Sequence, residues 1–192
     1  MYKEIILASQ SPRRVAILTQ MGITCLIMPA DIDETALLNE APTDYVLRLA
    51  QQKALAIVVK QHAEHLPILA ADTTVAIGKT IFGKPENAAD AFQMLKQLSG
   101  STHQVHTAIA LAFNGNIETA INTSQVTMMA LSDAMIHNYI ASNEPMDKAG
   151  SYAIQGIAGC WISHIAGSYT GVMGLPMFET AQVLQNIGFK LD

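Results

Sequence analysis

The sequence predicts an α/β fold, a mixed twisted sheet with flanking helices, and three patterns carry that reading. Short apolar runs of strand type alternate with segments of helical periodicity along the chain. Two long alternating runs, 102–113 and 117–131, flank Asn114-Gly115-Asn116 and read as a β-hairpin. Parallel strands joined only by helices would not produce that hairpin, so the sheet must be mixed.

In chain order, 4–8 reads as a short buried strand. Ser11 then stands as an N-cap with Pro12 at the first helical position, where a missing N–H costs nothing. Val15, Leu18 and Met21 form the apolar stripe of this helix, and Gly22 stops it. A second strand covers 24–28, and a longer helix runs from a cap at Thr43 to about Lys60. The run PILAA, 67–71, is a buried strand ending at Asp72. Residues 74–77 and 80–82 flank Gly78-Lys79 as a hairpin. Asn87 caps a helix to Leu98, Ser132 begins another, 160–165 is a strand, and 176–187 is the last helix. No linker or internal repeat divides the chain, so residues 1–192 are expected to form one domain.

Half of the 192 residues are hydrophobic and 14% are charged, the composition of a globular protein. A net charge of −5 and a pI of 5.6 argue against a general nucleic-acid or membrane-surface binder. No secretory pattern and no run of roughly 18 apolar residues is present, so a cytoplasmic protein is expected. Cys25 and Cys160, far apart and outside any CxxC, read as buried free thiols.

The stretch LASQSPRR, 7–14, raises the first chemical question. The chain has three arginines and places two, Arg13 and Arg14, in the first turn of a helix. Cations there oppose the helix dipole by roughly 0.3–1 kcal/mol each. An anion would reverse that: first-turn N–H groups, the Ser9 and Ser11 hydroxyls and two guanidinium forks form a phosphate site. The alternative is a pair of solvated surface arginines.

Asp72 is the second signal, a carboxylate where a buried strand ends, beside Thr73 and Thr74; it could act as base, as metal ligand or merely as a turn former. The GKT at 78–80 is no Walker A loop, because that motif needs glycine five positions earlier, where Thr73 stands. Lys84, in FGKP, is the more useful cation. The third cluster, EPMDKAGSYAIQG at 144–156, sets Asp147, Lys148 and Gln155 among glycines. His103 and His106 face opposite sides of a strand and are not read as metal ligands; Trp161 and the pair Met128-Met129 read as packing.

Taken together, LASQSPRR, AADTTV with FGKP, LSGSTHQVHTAIAL, EPMDKAGSYAIQG and GSYTGVMGLP resemble the successive signatures of the Maf family of nucleoside triphosphate pyrophosphatases. The resemblance spans about residues 5–178. It implies two lobes around a deep nucleotide-binding cleft, a Maf or inosine triphosphatase-like fold, often dimeric. It also implies hydrolysis of a nucleoside triphosphate to the monophosphate and pyrophosphate, aided by a divalent metal, magnesium or manganese. By the same resemblance the catalytic aspartate is Asp72, the phosphate-binding residues are Ser9, Arg13, Arg14, Lys53 and Lys84, and Glu34 holds the metal with Asp72. Arg13, Thr73 and Gln155 match the branch acting on dTTP and UTP; the branch acting on 7-methyl-GTP is the alternative. Thr74 departs from the usual β-branched aliphatic, and Ala153 from the usual glycine. The family is also associated with septum formation, so a non-catalytic nucleotide-binding regulator is the reading from another class.

Overall fold

The computed structural model describes residues 4–61 and 66–191. Its strands are β1 (Glu4–Leu7), β2 (Thr24–Ile27), β3 (Ile68–Ile77), β4 (Thr80–Phe82), β5 (Thr102–Phe113), β6 (Asn116–Met128) and β7 (Ile162–Ala166). Its helices are α1 (Pro12–Gln20), α2 (Pro42–Gln61), α3 (Ala88–Leu98), α4 (Asp133–Ala141), α5 (Tyr169–Met173) and α6 (Met177–Asn186). Three 3-10 turns, Glu144–Asp147, Ala149–Ser151 and Ile157–Trp161, fill the glycine-rich region.

The seven strands form one mixed sheet in the order β2-β1-β3-β5-β6-β7, with β4 paired to β3. β1 lies parallel to both β2 and β3, and α1 and α2 supply the crossovers those pairings need. All other pairings are antiparallel. The long hairpin turns on two residues, Asn114 (φ 49°) and Gly115 (φ 75°), since Phe113 pairs with Asn116. Two consecutive positive φ angles match the twist of the flanking strands.

Two of the four expected caps are there, while Thr43 lies inside α2, which begins one residue earlier at Pro42. Asn87 accepts from Asp90 N at 3.0 Å and Ser132 from Met135 N at 3.3 Å. Ser11 occupies the N-cap of α1 but makes no side-chain cap bond; its own N–H donates to Ser9 Oγ at 3.2 Å. The larger departure concerns β3. Asp72 lies in the middle of an unbroken ten-residue strand and not at its end. What ends near Asp72 is the pairing on one edge: β1 covers Ile68 and Leu69, β4 covers Val75 to Ile77, and between them that edge has no strand partner. The other edge is paired to β5 from Ile68 to Ala76.

The packing divides at the same point. Ile68 and Ala70 pack with α2, while Leu69 and Ala71 pack with α1 and α6 on the opposite face. Val75 belongs to a separate cluster with Phe82, Leu95, Leu98, Tyr139, Tyr152 and Trp161. Two lobes therefore share β3, β5 and β6 and meet at residues 72–74. Trp161 packs edge-on against Tyr139, with centroids 4.9 Å apart. Met128 is buried as expected, but Met129 is 43% exposed. The buried-thiol reading is corrected likewise: Cys160 is exposed and Cys25 half-buried, both free. No helix among the described residues is long and apolar enough to cross a membrane.

Gly150 joins the turn region to β3. It adopts φ +67°, donates its N–H to Gly83 O at 3.0 Å, and leaves no room for a side chain: a Cβ would stand 2.8 Å from Val75 Cγ2. Gly150→Ala is expected to destabilise by roughly 2–4 kcal/mol, from the left-handed backbone and the overpacked valine. Chemical denaturation measures this, and a loss below about 0.5 kcal/mol, the scale of an ordinary surface change, would contradict it.

Candidate active site

The uncovered stretch of β3 is the floor of a cavity of about 450 Å³, and alternation along the strand sends its side chains to two sides. Asp72 faces α2. Its carboxylate, 6% exposed, accepts from Lys53 Nζ at 2.6 Å. Lys53, from the fourth turn of α2, also pairs with Glu34 Oε1 at 2.7 Å, so one ammonium bridges two carboxylates. Glu34 comes from the irregular segment between β2 and α2. That segment is tied down by Tyr45 Oη, which donates to the Glu34 carbonyl at 2.9 Å, and by Arg48, which donates to Glu40 and to the Thr35 carbonyl.

These environments act on the protons. Burial pushes the Asp72 carboxyl above the usual aspartate value, against the pull of Lys53 and Arg14. Burial works the same way on Glu34, but the hydrogen bond and charge of Lys53, with Lys84 and Arg14 behind it, outweigh burial and hold it below the ordinary value. Burial, with Asp72 and Glu34 nearby, pushes the Tyr45 hydroxyl up to about 12, which keeps it a donor at neutral pH.

Thr73 faces the other side, toward α1. Its Oγ1 lies 3.3 Å from Arg14 Nη2 and 2.9 Å from Thr107 Oγ1, which donates onward to the Gly171 carbonyl at 2.8 Å. Arg14 also donates through Nη1 to Ser9 Oγ at 3.0 Å and through Nε to the Gly174 carbonyl at 2.8 Å. Arg13 donates to the Met173 carbonyl at 3.3 Å. Burial pulls both guanidinium groups below their ordinary values, with Asp147 opposing at Arg13 and Asp72 at Arg14. The sequence question is thus answered structurally: carbonyls at the end of α5 hold two cations against a helix N-terminus whose cap residue leaves its first N–H groups free of a side-chain bond.

Every residue that the resemblance assigned to the site lines this one cavity, including Lys84 just beyond β4 and Gln155 on the opposite lobe. Five cationic side chains face it against three carboxylates, in a protein whose net charge is −5. Lys148 reaches it too, in close contact with Asp147. One expectation changes in character. Lys53, assigned to phosphate, is committed to Asp72 and Glu34. Sequence reasoning missed Thr107 and the anchoring role of Tyr45; the first carried no signal beyond a polar residue in a buried strand, the second only its place on an inward stripe.

Glu34 and Asp72 are the residues that could hold a divalent cation. Glu34 and Asp72 converge within 2.7 and 2.6 Å of a single point, the Lys53 ammonium. Two carboxylates completed by phosphate oxygens and water are what such an ion takes. Among the described residues no group of three or more His, Cys, Asp or Glu could enclose a metal by itself.

Known proteins resemble this chain over nearly its whole length. A dTTP/UTP pyrophosphatase of Methylobacillus flagellatus is 50% identical, over 97% of this chain and 94% of that protein. A nucleoside triphosphate pyrophosphatase of Haemophilus ducreyi is 47% identical, over the whole of this chain and 98% of that protein. The solved structure of the Staphylococcus aureus Ham1 protein superposes with a TM-score of 0.47 at 14% identity, covering 66% of this chain and 72% of that one. The model of the Maf-like protein family matches residues 4–187, so the chain belongs to that family.

Proposed function

We propose that this protein hydrolyses nucleoside triphosphates, dTTP and UTP foremost, to the monophosphate and pyrophosphate. The observation that carries the reading is a buried carboxylate, Asp72, at the floor of a cavity whose walls present five cations. The names of the full-length relatives support it. A triphosphate brings about four negative charges near neutral pH, and an acidic protein that binds one must concentrate its cations in a single place.

In this reading Arg13 and Arg14 grip phosphate oxygens together with the α1 N-terminus and Ser9. Asp72 accepts a proton from the attacking water as oxygen bonds to the α-phosphorus, and the bond from that phosphorus to the bridging oxygen breaks. The electron pair leaves with pyrophosphate, whose growing charge Lys84 and Lys148 offset. Lys53 holds Asp72 and Glu34 in place. A magnesium or manganese ion held by Glu34 and Asp72 would add charge neutralisation on the phosphates. Gln155, exposed at the cavity mouth and carrying both a donor and an acceptor, reads the O4/N3–H edge of uracil or thymine.

Pyrophosphate release from dTTP, UTP, CTP, GTP and 7-methyl-GTP, with magnesium or manganese and an EDTA control, tests the reading. Preference for dTTP and UTP, lost in EDTA, is expected. Preference for 7-methyl-GTP would overturn the base assignment while keeping the chemistry. Absence of pyrophosphate from every nucleotide would leave a binding protein.

A further inference from the structure

The segment that carries Gln155 is held from behind by two residues that do not line the cavity. Glu144, partly buried at the start of the first 3-10 turn, accepts through Oε1 from Ile157 N at 3.1 Å and from Tyr139 Oη at 2.9 Å; Oε2 lies 3.3 Å from Ile157 N. Tyr139, 2% exposed in α4, accepts in turn from Ala153 N at 3.1 Å. One carboxylate and one phenol thus fix the backbone two residues before Gln155 and two residues after it. The fit is close. A Cβ at Gly156 would lie 2.1 Å from Glu144 Oε1, so a side chain there would push the carboxylate away from the amide it holds. Tyr139 is held by its edge-on contact with Trp161, and burial followed by the Glu144 bond pushes its hydroxyl well above the usual range, so it remains a donor.

From this geometry we infer that Glu144 and Tyr139 are positioning residues for base selection: they set the height and angle at which Gln155 meets the pyrimidine. The inference rests on the role proposed for Gln155. A side chain on an exposed loop discriminates poorly unless its backbone is fixed, because misplaced donors leave the right base no better paired than the wrong one. Here the fixing groups belong to the lobe opposite the arginines, so loosening them leaves the arginine grip and Asp72 untouched.

The test is a cycle on the full-length protein, read as the ratio of kcat/KM for UTP over CTP. Glu144→Ala and Tyr139→Phe are each expected to lower that ratio by about tenfold or more, chiefly through the KM for UTP. The kcat for CTP should stay within about twofold. Glu144→Gln, which keeps an oxygen acceptor, is expected to retain most of the preference. In a Gln155→Ala background Glu144→Ala should change the ratio by less than about twofold, because the two act as one unit. Tyr139→Phe keeps the ring against Trp161 and carries the test should Glu144→Ala fail to fold. Equal loss of kcat on both nucleotides, or additive effects of Glu144→Ala and Gln155→Ala, would overturn the inference. So would a wild-type preference for UTP that survives Glu144→Ala. A wild type indifferent between UTP and CTP would instead remove the base-reading role of Gln155, and this inference with it.

Discussion

Asp72→Asn is expected to lower kcat by about 10²–10⁴-fold, the range lost when a general base is removed. Nucleotide affinity, measured by calorimetry in EDTA, should hold or tighten, since one carboxylate leaves a cavity that receives an anion. Near-wild-type turnover in this variant would take Asp72 out of the mechanism. The pH profile of the wild type supplies an independent check. A base must be unprotonated to act, and burial raises the Asp72 carboxyl above the ordinary value of 3.8. Activity on kcat/KM should therefore fall as pH drops through a limb placed above pH 3.8, and Asp72→Asn should abolish that limb.

Lys53→Met has the second large effect, and it concerns stability as well as rate. The ammonium bridges two carboxylates, and Lys53 and Asp72 are 8% and 6% exposed. Removing it leaves a buried charge unpaired, a change that costs roughly 3–5 kcal/mol in comparable pairs. Its hydrogen bond and charge are also the main forces lowering the Asp72 carboxyl, so in the variant that carboxyl rises further. The sign follows. A carboxyl raised in the folded state binds more protons there than in the unfolded chain, so its contribution is present below the unfolded value and lost as pH rises through the folded one. Lys53→Met should thus lose more stability at pH 7 than at pH 5, and its acid limb in kcat/KM should move to higher pH. Urea denaturation at both pH values measures the first, and equal losses would contradict the buried-pair account.

Much of this was legible in the sequence where local rules decide the outcome. Asn87 and Ser132 cap helices because their side chains satisfy N–H groups three residues on, and the Asn114-Gly115 turn follows from φ preference alone. The residues lining the cavity were found through the resemblance, with support from the odd placement of two arginines. What the sequence could not convey depends on partners distant in the chain. Asp72 looked like a strand terminus because polar residues follow an apolar run, yet β3 continues; only the pairing of β1 and β4 to separate halves of one edge makes room there. Lys53 looked like one more phosphate ligand, and nothing local says that two carboxylates claim it first. Glu144 was one acidic residue in a glycine-rich stretch, its role fixed by a tyrosine five residues earlier and an amide thirteen residues later.

The meeting of two packing clusters at residues 72–74 has a consequence for how such a protein can change. The arginine pair and its carbonyl clasp rest largely on the cluster built by α1 and α6, while Gln155 and the groups behind it rest on the cluster of α3, α4 and the 3-10 turns. Asp72 stands on the strand common to both. Substitutions that reshape base preference can therefore accumulate in one half without disturbing the arginine grip in the other. Variants of this chain with new base preferences are best sought by mutating Tyr139, Glu144 and residues 153–157 together, leaving Lys148 and the floor as they are.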